Sequence, residues 1–405
     1  MLKQLFPRYH RRYTASLVAP WLHGFAEWLV AEGYARDPVR HHVRRLKQAL
    51  EQASSPIRPA SSFPSNELAV LFSWPEQQVP FQATERAFRR FLQTQERLVD
   101  EQKFSKCDEL LCAYRTHLAE LCGLRTTTIS QHLSTISRFL TEAVPTNSPL
   151  NSLSPQAVEA FVVATGQRVK RQTLQHIVAH LRSFLRYCYD QNALSHRLDT
   201  IDMPRTYRDE LPPRALAWSH VLGLLRSIDR SRMMGCRDHA ILYLMAHYGL
   251  RPSEIAALSV DSIDWASRTL RVEQSKTRST LVLPLSDQAL RVLKRYLRCG
   301  RPGTTRPALF LRARSPVGPI THYTVCDVYT KRARESGLPL QGTSSYCLRH
   351  SFAMRLLTRG VGVKIIGDLL GHRTLESTCV YLRLQTEALR DVALPVPHDG
   401  EGRQL

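Results

Sequence analysis

The sequence predicts a mainly α-helical protein with one small antiparallel β-sheet, organised as a helical domain followed by a mixed α+β domain. Three observations carry this. At 405 residues the chain is long enough for two or three domains at roughly 150 residues each, and 43% hydrophobic residues give each one a core. Apolar residues recur at the three-and-four spacing of amphipathic helices along most of the chain. One stretch, Thr269 to Leu285, alternates instead with the period of a strand.

The boundaries come from breaks in those patterns. Residues 1–103 read as an N-terminal helical region: helices to about 53, then a connection rich in Ser and Pro (SSPIRPASSFPS) that contains helical pieces. Residues 104–195 read as a helical bundle. The stretch 196–214, HRLDTIDMPRTYRDELPPR, lacks any periodic apolar pattern and reads as a linker. Residues 215–390 form the mixed domain, and 391–405 are a tail.

In the first segment, Arg36, Arg40, Arg44, Arg45 and Lys47 lie on the polar side of a helical pattern. A shift of ninety positions pairs Trp28 with Leu118, Gly33 with Gly123, Val39 with Ile129, Leu46 with Ile136 and Leu50 with Leu140. Two amphipathic helices joined at a glycine also produce such agreement by chance, so duplication stays open. In 104–195, Ile129, Leu133, Ile136 and Leu140 follow the Thr126-Thr127-Thr128 start signal. Ser154-Pro155 opens a short helix carrying Val158, Phe161 and Val162. Thr173 precedes Ile177, Leu181, Phe184, Leu185 and Cys188 on one face of a long helix, with Arg168, Lys170, Arg171, Arg182 and Arg186 before it or on its other sides.

Charge narrows the partner. The chain has 56 Lys+Arg against 35 Asp+Glu, a net charge of +21, which points to a polyanion, most simply nucleic acid. The basic residues just named are therefore candidate DNA contacts. Nine cysteines without a Cys-x-x-Cys pair argue against a disulfide framework or a zinc finger and read as buried thiols. No run of 18 or more apolar residues appears, and MLKQLFPRYHRRY lacks an apolar signal core. The expectation is a cytoplasmic, nucleoid-associated bacterial protein with no membrane partner.

The chemistry concentrates in the last domain. In CRDHAILYLMAHYGLRPSEIAAL, 236–258, a helix breaks at Gly249, and Arg251 stands just before a second helix start at Pro252-Ser253-Glu254. An arginine between two rigid supports suits a phosphate clamp. In TLRVEQSKTRSTLVLPL, 269–285, Leu270 and Val272 alternate before a turn and Leu281 and Leu283 after it, so Lys276 sits at a hairpin tip. Arg349 and His350 follow within a helix whose apolar face is Phe352, Leu356 and Leu357. Gly360 and Gly362 close that helix, and a further one ends at Gly371-His372, nine residues before Tyr381.

The order Arg-x-x-Glu, hairpin lysine, Leu-Arg-His-Ser-Phe-Ala, Leu-Gly-His and a tyrosine nine residues on resembles the catalytic domain of the tyrosine recombinases, the phage integrase family. The resemblance covers about 215–390, and 104–195 resembles the family's helical, SAM-like core-binding domain. It implies a site-specific recombinase that cuts and rejoins double-stranded DNA through a 3′-phosphotyrosyl link, with no metal, cofactor or ATP, in integration, excision or mobile-element transposition. By resemblance Tyr381 is the nucleophile, Arg251 and Arg349 clamp the phosphate, Lys276 protonates the leaving 5′-oxygen, His372 binds a non-bridging oxygen and Glu254 orients the site. It also implies a tetramer on DNA, formed alone or with related recombinases, to which the short helical pattern 386–394 contributes by docking on a neighbouring protomer.

One position departs from the family's His-x-x-Arg: here it is Tyr346-Cys347-Leu348-Arg349. A phenol with a reference pKa of about 10 donates a hydrogen bond to phosphate but is a poor acceptor for another phenol's proton. Tyr346 is therefore expected to stand in the histidine's place as a donor. His350, one step past Arg349, is expected to point elsewhere and pack. Two other readings stay open, a DNA-binding accessory subunit and a topoisomerase-like nicking and closing enzyme.

Overall fold

The computed structural model describes residues 1–52, 63–72, 78–99, 106–144, 150–204, 214–274, 279–313, 317–372 and 374–382. They are mostly helical and group into two compact units, one drawn from 1–99 and 211–405, the other from 100–210.

In the first ninety-nine residues, α1 (Leu2–Leu5) and α2 (Arg11–Thr14) precede the helical pair α3 (Ala19–Ala31) and α4 (Arg36–Glu51). Beyond them α5 (Ser65–Leu71) and α6 (Gln78–Thr94) lie between β1 (Phe63–Pro64) and β2 (Leu98–Val99), which pair in parallel. That parallel bridge adds to the single sheet the sequence predicts. One core runs through this region, with Trp21, Phe25, Val39, Val43, Leu46 and Phe88 buried together. Packing also claims one candidate DNA contact: Arg40 lies over the Phe6 ring and pairs with Asp37 at 3.5 Å, whereas Arg44 is exposed.

The unit 100–210 contains α7 (Lys106–Glu120), α8 (Thr126–Ala143), α9 (Pro155–Gly166) and α10 (Arg171–Asp190). Ser154 caps α9 by accepting from the Ala157 N–H at 3.2 Å, as the Ser-Pro signal implies. Helix α10 starts two residues before Thr173. The core joins Ile129, Ile136 and Leu140 of α8 to Phe161 of α9 and to Leu181, Phe184 and Leu185 of α10. The ninety-residue echo reappears as geometry: α3–α4 and α7–α8 each turn at a left-handed glycine, Gly33 at φ +78° and Gly123 at φ +61°.

The mixed domain begins with α11 (Trp218–Ser227), α12 (Met233–Tyr248) and α13 (Pro252–Ala257). The sheet follows as β3 (Ile263–Asp264), β4 (Thr269–Gln274) and β5 (Ser279–Pro284), then α14 (Asp287–Arg295), α15 (His322–Glu335), α16 (Tyr346–Leu357), α17 (Val363–Leu370) and α18 (Glu376–Cys379). The strands are antiparallel in the order β3-β4-β5, and Leu270 faces Leu283 and Val272 faces Leu281 across the hairpin. The register follows from alternation, since it puts four apolar side chains on one face. Helix α12 is buried nearly all round, from Gly235 to Ala246, so the domain is built about it. A smaller cluster of Ala353, Leu357, Ile366, Leu370 and Tyr381 holds α16, α17 and the segment after α18 together.

The cysteine reading needs correction. The described cysteines are free thiols, but Cys112, Cys122 and Cys299 are exposed rather than buried. Alone among the site residues expected from the sequence, Lys276 lies outside the described residues, as does 386–394. No described helix is long and apolar enough to cross a membrane.

Candidate active site

Two helix ends make the floor of the site. Helix α12 stops at Gly249, with φ +65°, where a side chain would come within 2.6 Å of Phe352 and 2.8 Å of Leu370. Helix α17 stops at Gly371, φ +62°, where a Cβ would overlap the Gln274 amide. Both glycines are thus required by backbone hand and by close approach. The carbonyls at these ends converge on one side chain: Arg349, 5% exposed, donates from Nη1 to Gly249 O and from Nη2 to Leu370 O, each at 2.6 Å. Carbonyls at helix carboxy termini carry partial negative charge, which compensates a buried cation. Burial and then the neighbouring Arg251 lower its pKa from 12.5 to about 10, so it remains a cation at neutral pH.

Arg251 caps the start of α13. Its backbone N–H donates to Glu254 Oε2 at 2.8 Å, and its guanidinium donates to Oε1 of the same carboxylate. Glu254, 3% exposed, therefore fixes Arg251 by both backbone and side chain. Two guanidiniums and one carboxylate sum to one positive charge, which matches the single negative charge of a phosphodiester.

Tyr381, only 3% exposed, lies close enough to both guanidiniums to feel their charge. Burial raises its pKa, while Arg349 and then Arg251 pull it down. Its hydroxyl is 3.1 Å from Nδ1 of His350. This overturns the expectation that His350 points away from the site. The physical reason is helical phase. His350 is one step from Arg349 but four from Tyr346, and i,i+4 neighbours share a face. Burial, then Arg349, lower the His350 pKa from its ordinary value, so the imidazole is neutral near pH 7.

His372 follows Gly371 and is held through Nδ1 at 2.7 Å from Oγ1 of the buried Thr378, with its ring stacked 6.5 Å from that of Tyr381. Tyr346, the first residue of α16, is 50% exposed and sits close enough to Arg349 to act on its charge. The structure thus gathers Arg251, Glu254, Tyr346, Arg349, His350, His372 and Tyr381.

Sequence reasoning missed two supports. Gln274 is 3% exposed; its Nε2 reaches Leu370 O at 3.5 Å and its Oε1 accepts from Ser279 Oγ at 3.2 Å, tying the turn end of the hairpin to the end of α17. Its signal was a polar residue on the inward register of Leu270 and Val272. Thr378 carried no comparable signal.

The other basic candidates lie in the unit 100–210. Arg168, Lys170 and Arg171 are exposed at and just before the start of α10. Arg182 and Arg186 line a cavity of about 360 Å³ with His117, Cys122 and Asp190, and Arg186 pairs with Asp199 at 3.1 Å.

Comparison with known proteins agrees with this geometry. The sequence model of the phage integrase family matches residues 218–388, and that of the phage integrase N-terminal SAM-like domain matches 111–192. A Sinorhizobium fredii protein designated an integrase/recombinase, y4gC, is 40% identical over 187 residues, 46% of this chain and 96% of its own. Tyrosine recombinase XerC of Syntrophus aciditrophicus is 27% identical over 303 residues, 70% of this chain and 96% of its own. A crystal structure of a lambda integrase tetramer bound to a Holliday junction shares the fold at a TM-score of 0.53 and 19% identity, covering 71% of this chain and 87% of that one. The chain belongs to the phage integrase family, the tyrosine recombinases, whose members are site-specific recombinases.

Proposed function

We propose that the protein cuts and rejoins double-stranded DNA at specific sites through a 3′-phosphotyrosyl intermediate on Tyr381, within integration, excision or transposition of a mobile element. The observation that carries the reading is the convergence of Tyr381 and two guanidiniums, brought together from positions 251, 349 and 381. Phosphodiester exchange needs a nucleophile and charge on the non-bridging oxygens. Arg251 and Arg349 supply that charge as planar forks that match phosphate geometry. His372 hydrogen-bonds a non-bridging oxygen, Tyr346 donates from the edge of the site, and Lys276 protonates the leaving 5′-oxygen. The phosphotyrosyl bond conserves the energy of the bond it replaces, so rejoining draws on neither ATP nor a cofactor.

The remaining assignments concern DNA. Residues 104–195 form the core-binding domain, with Arg168, Lys170, Arg171, Arg182 and Arg186 meeting the backbone. The region 1–103 is an accessory DNA-binding segment in which Arg44 is a better placed contact than the packed Arg40. Like the lambda integrase neighbour, the protein works as a tetramer on DNA, alone or with related recombinases.

The test is covalent capture from a pool of random-sequence duplexes nicked so that a cleaved strand end is lost. Recovery of a protein–DNA adduct whose linked peptide contains Tyr381 supports the reading. No adduct from the unmodified protein, or an adduct retained by Tyr381→Phe, removes it.

A further inference from the structure

We propose that the His350 imidazole accepts the Tyr381 proton during strand cleavage and returns it on rejoining, the work that Tyr346 cannot do from its own position. The inference deepens the recombinase reading and rests on it.

Three observations single out His350. Its Nδ1 is 3.1 Å from the Tyr381 hydroxyl, within the 2.6–3.2 Å reach that proton transfer to a base requires. The other imidazole beside Tyr381 is committed: His372 Nδ1 is held at 2.7 Å from Thr378 Oγ1, and its ring stacks on Tyr381 rather than meeting the hydroxyl. Position 346 carries a phenol, half exposed, and one phenol gains nothing by taking a proton from another.

The surroundings suit the role. His350 is faced by Arg349 on its own helix and by Tyr381 from the segment after α18. Tyr381 is faced in turn by Arg349, by Arg251 from the start of α13 and by His372. Burial and Arg349 keep the imidazole neutral, and in its Nε2–H tautomer Nδ1 accepts from the Tyr381 O–H. In cleavage the Tyr381 Oη–P bond forms as the P–O5′ bond breaks. The Oη proton moves to His350 Nδ1, giving imidazolium, while Lys276 gives its proton to the leaving 5′-oxygen. In rejoining, the 5′-hydroxyl attacks and returns a proton to Lys276, and the departing Tyr381 oxygen recovers its own from His350. No atom or charge is left over.

The experiment measures single-turnover capture by the full-length protein, on a duplex recovered from the pool above, from about pH 5 to about pH 10. The unmodified protein should lose rate as pH falls below the ordinary imidazole range, because protonated His350 cannot accept. His350→Gln should bind the duplex with unchanged affinity but capture it about a hundredfold more slowly at neutral pH. It should lack the acidic limb and recover about tenfold per pH unit towards the tyrosine range, where hydroxide supplies the base. A purely structural role for His350 would not yield alkaline recovery. A flat acidic profile in the unmodified protein overturns the proposal whether or not the variant folds. So does a His350→Gln rate equal to the unmodified one. Failure of the unmodified protein to capture any duplex overturns the recombinase reading itself, a distinguishable result.

Discussion

Among the described residues, two buried tyrosine hydroxyls stand at the same hydrogen-bond distance from an imidazole. In the unit 100–210 the Tyr114 hydroxyl is 3.1 Å from His132 Nδ1, and in the mixed domain the Tyr381 hydroxyl is 3.1 Å from His350 Nδ1. What surrounds them differs. Tyr114 also bonds Ser183 at 2.9 Å, and His132 packs against His180 with ring centroids 4.0 Å apart and the rings tilted by 35°. Burial, with Cys122 and Cys188 nearby, pushes Tyr114 up to about 12. Tyr381 feels the same burial but has two guanidiniums to draw its proton away. A hydrogen-bonded imidazole is therefore common to both tyrosines; what sets Tyr381 apart is the pair of guanidiniums that oppose the upward push of burial, and on the proposed function the same cations would stabilise both its anion and a bound phosphate.

The sharpest way to break this comparison is to remove each hydroxyl. Tyr381→Phe should abolish covalent capture with DNA affinity nearly unchanged, whereas Tyr114→Phe should capture at the normal rate. A capture defect in Tyr114→Phe without loss of DNA binding would show that the two pairs are not different in kind. Next in size, Arg251→Ala and Arg349→Ala should each slow capture by about two orders of magnitude or more, on the scale of roughly 3 kcal/mol for a lost electrostatic donor. Near-normal capture by either would take that arginine out of the clamp.

Smaller effects separate the pairs by stability. Tyr114→Phe leaves His132 and Ser183 without a partner inside the fold and should cost about 1–3 kcal/mol by denaturant unfolding. No loss would mean that water already serves those groups. Smallest is a pH effect on the packed His132–His180 pair. Burial lowers His180 from 6.5 to about 4, and His132 is lowered too. Between those values the unfolded chain binds more protons than the folded one, so stability rises with pH through the window and is lost as pH falls through it. His180→Gln should flatten that slope in calorimetry of the full chain; an unchanged slope would assign it to other groups.

The sequence made some of this legible and hid the rest for physical reasons. Alternation in 269–285 yielded the hairpin and its register because each inward position is apolar. Gly249, Gly360 and Gly371 marked helix ends because only a residue at ease with φ > 0 turns there. Arg251, Arg349, His372 and Tyr381 were legible as an ordered set. His350 was misjudged because the distance that mattered was its four residues from Tyr346, not its one from Arg349. The anchors of Arg349 were invisible for another reason: they are backbone carbonyls, and a carbonyl leaves no letter in a sequence.

Those anchors have a consequence for anyone wishing to disarm the protein. Arg251 is tied within its own helix start, to Glu254, whereas Arg349 ties the ends of α12 and α17 to each other. Removing the first strips a charge; removing the second also leaves two helix termini with nothing between them. The same guanidinium is thus a rivet as well as the proposed clamp, so slow capture by Arg349→Ala counts towards the clamp only when the variant is shown to be folded. A silent but intact protein, of the kind needed to hold DNA assemblies still for inspection, is to be sought at Tyr381 or Arg251. Arg349 offers only one that is silent because it has come loose.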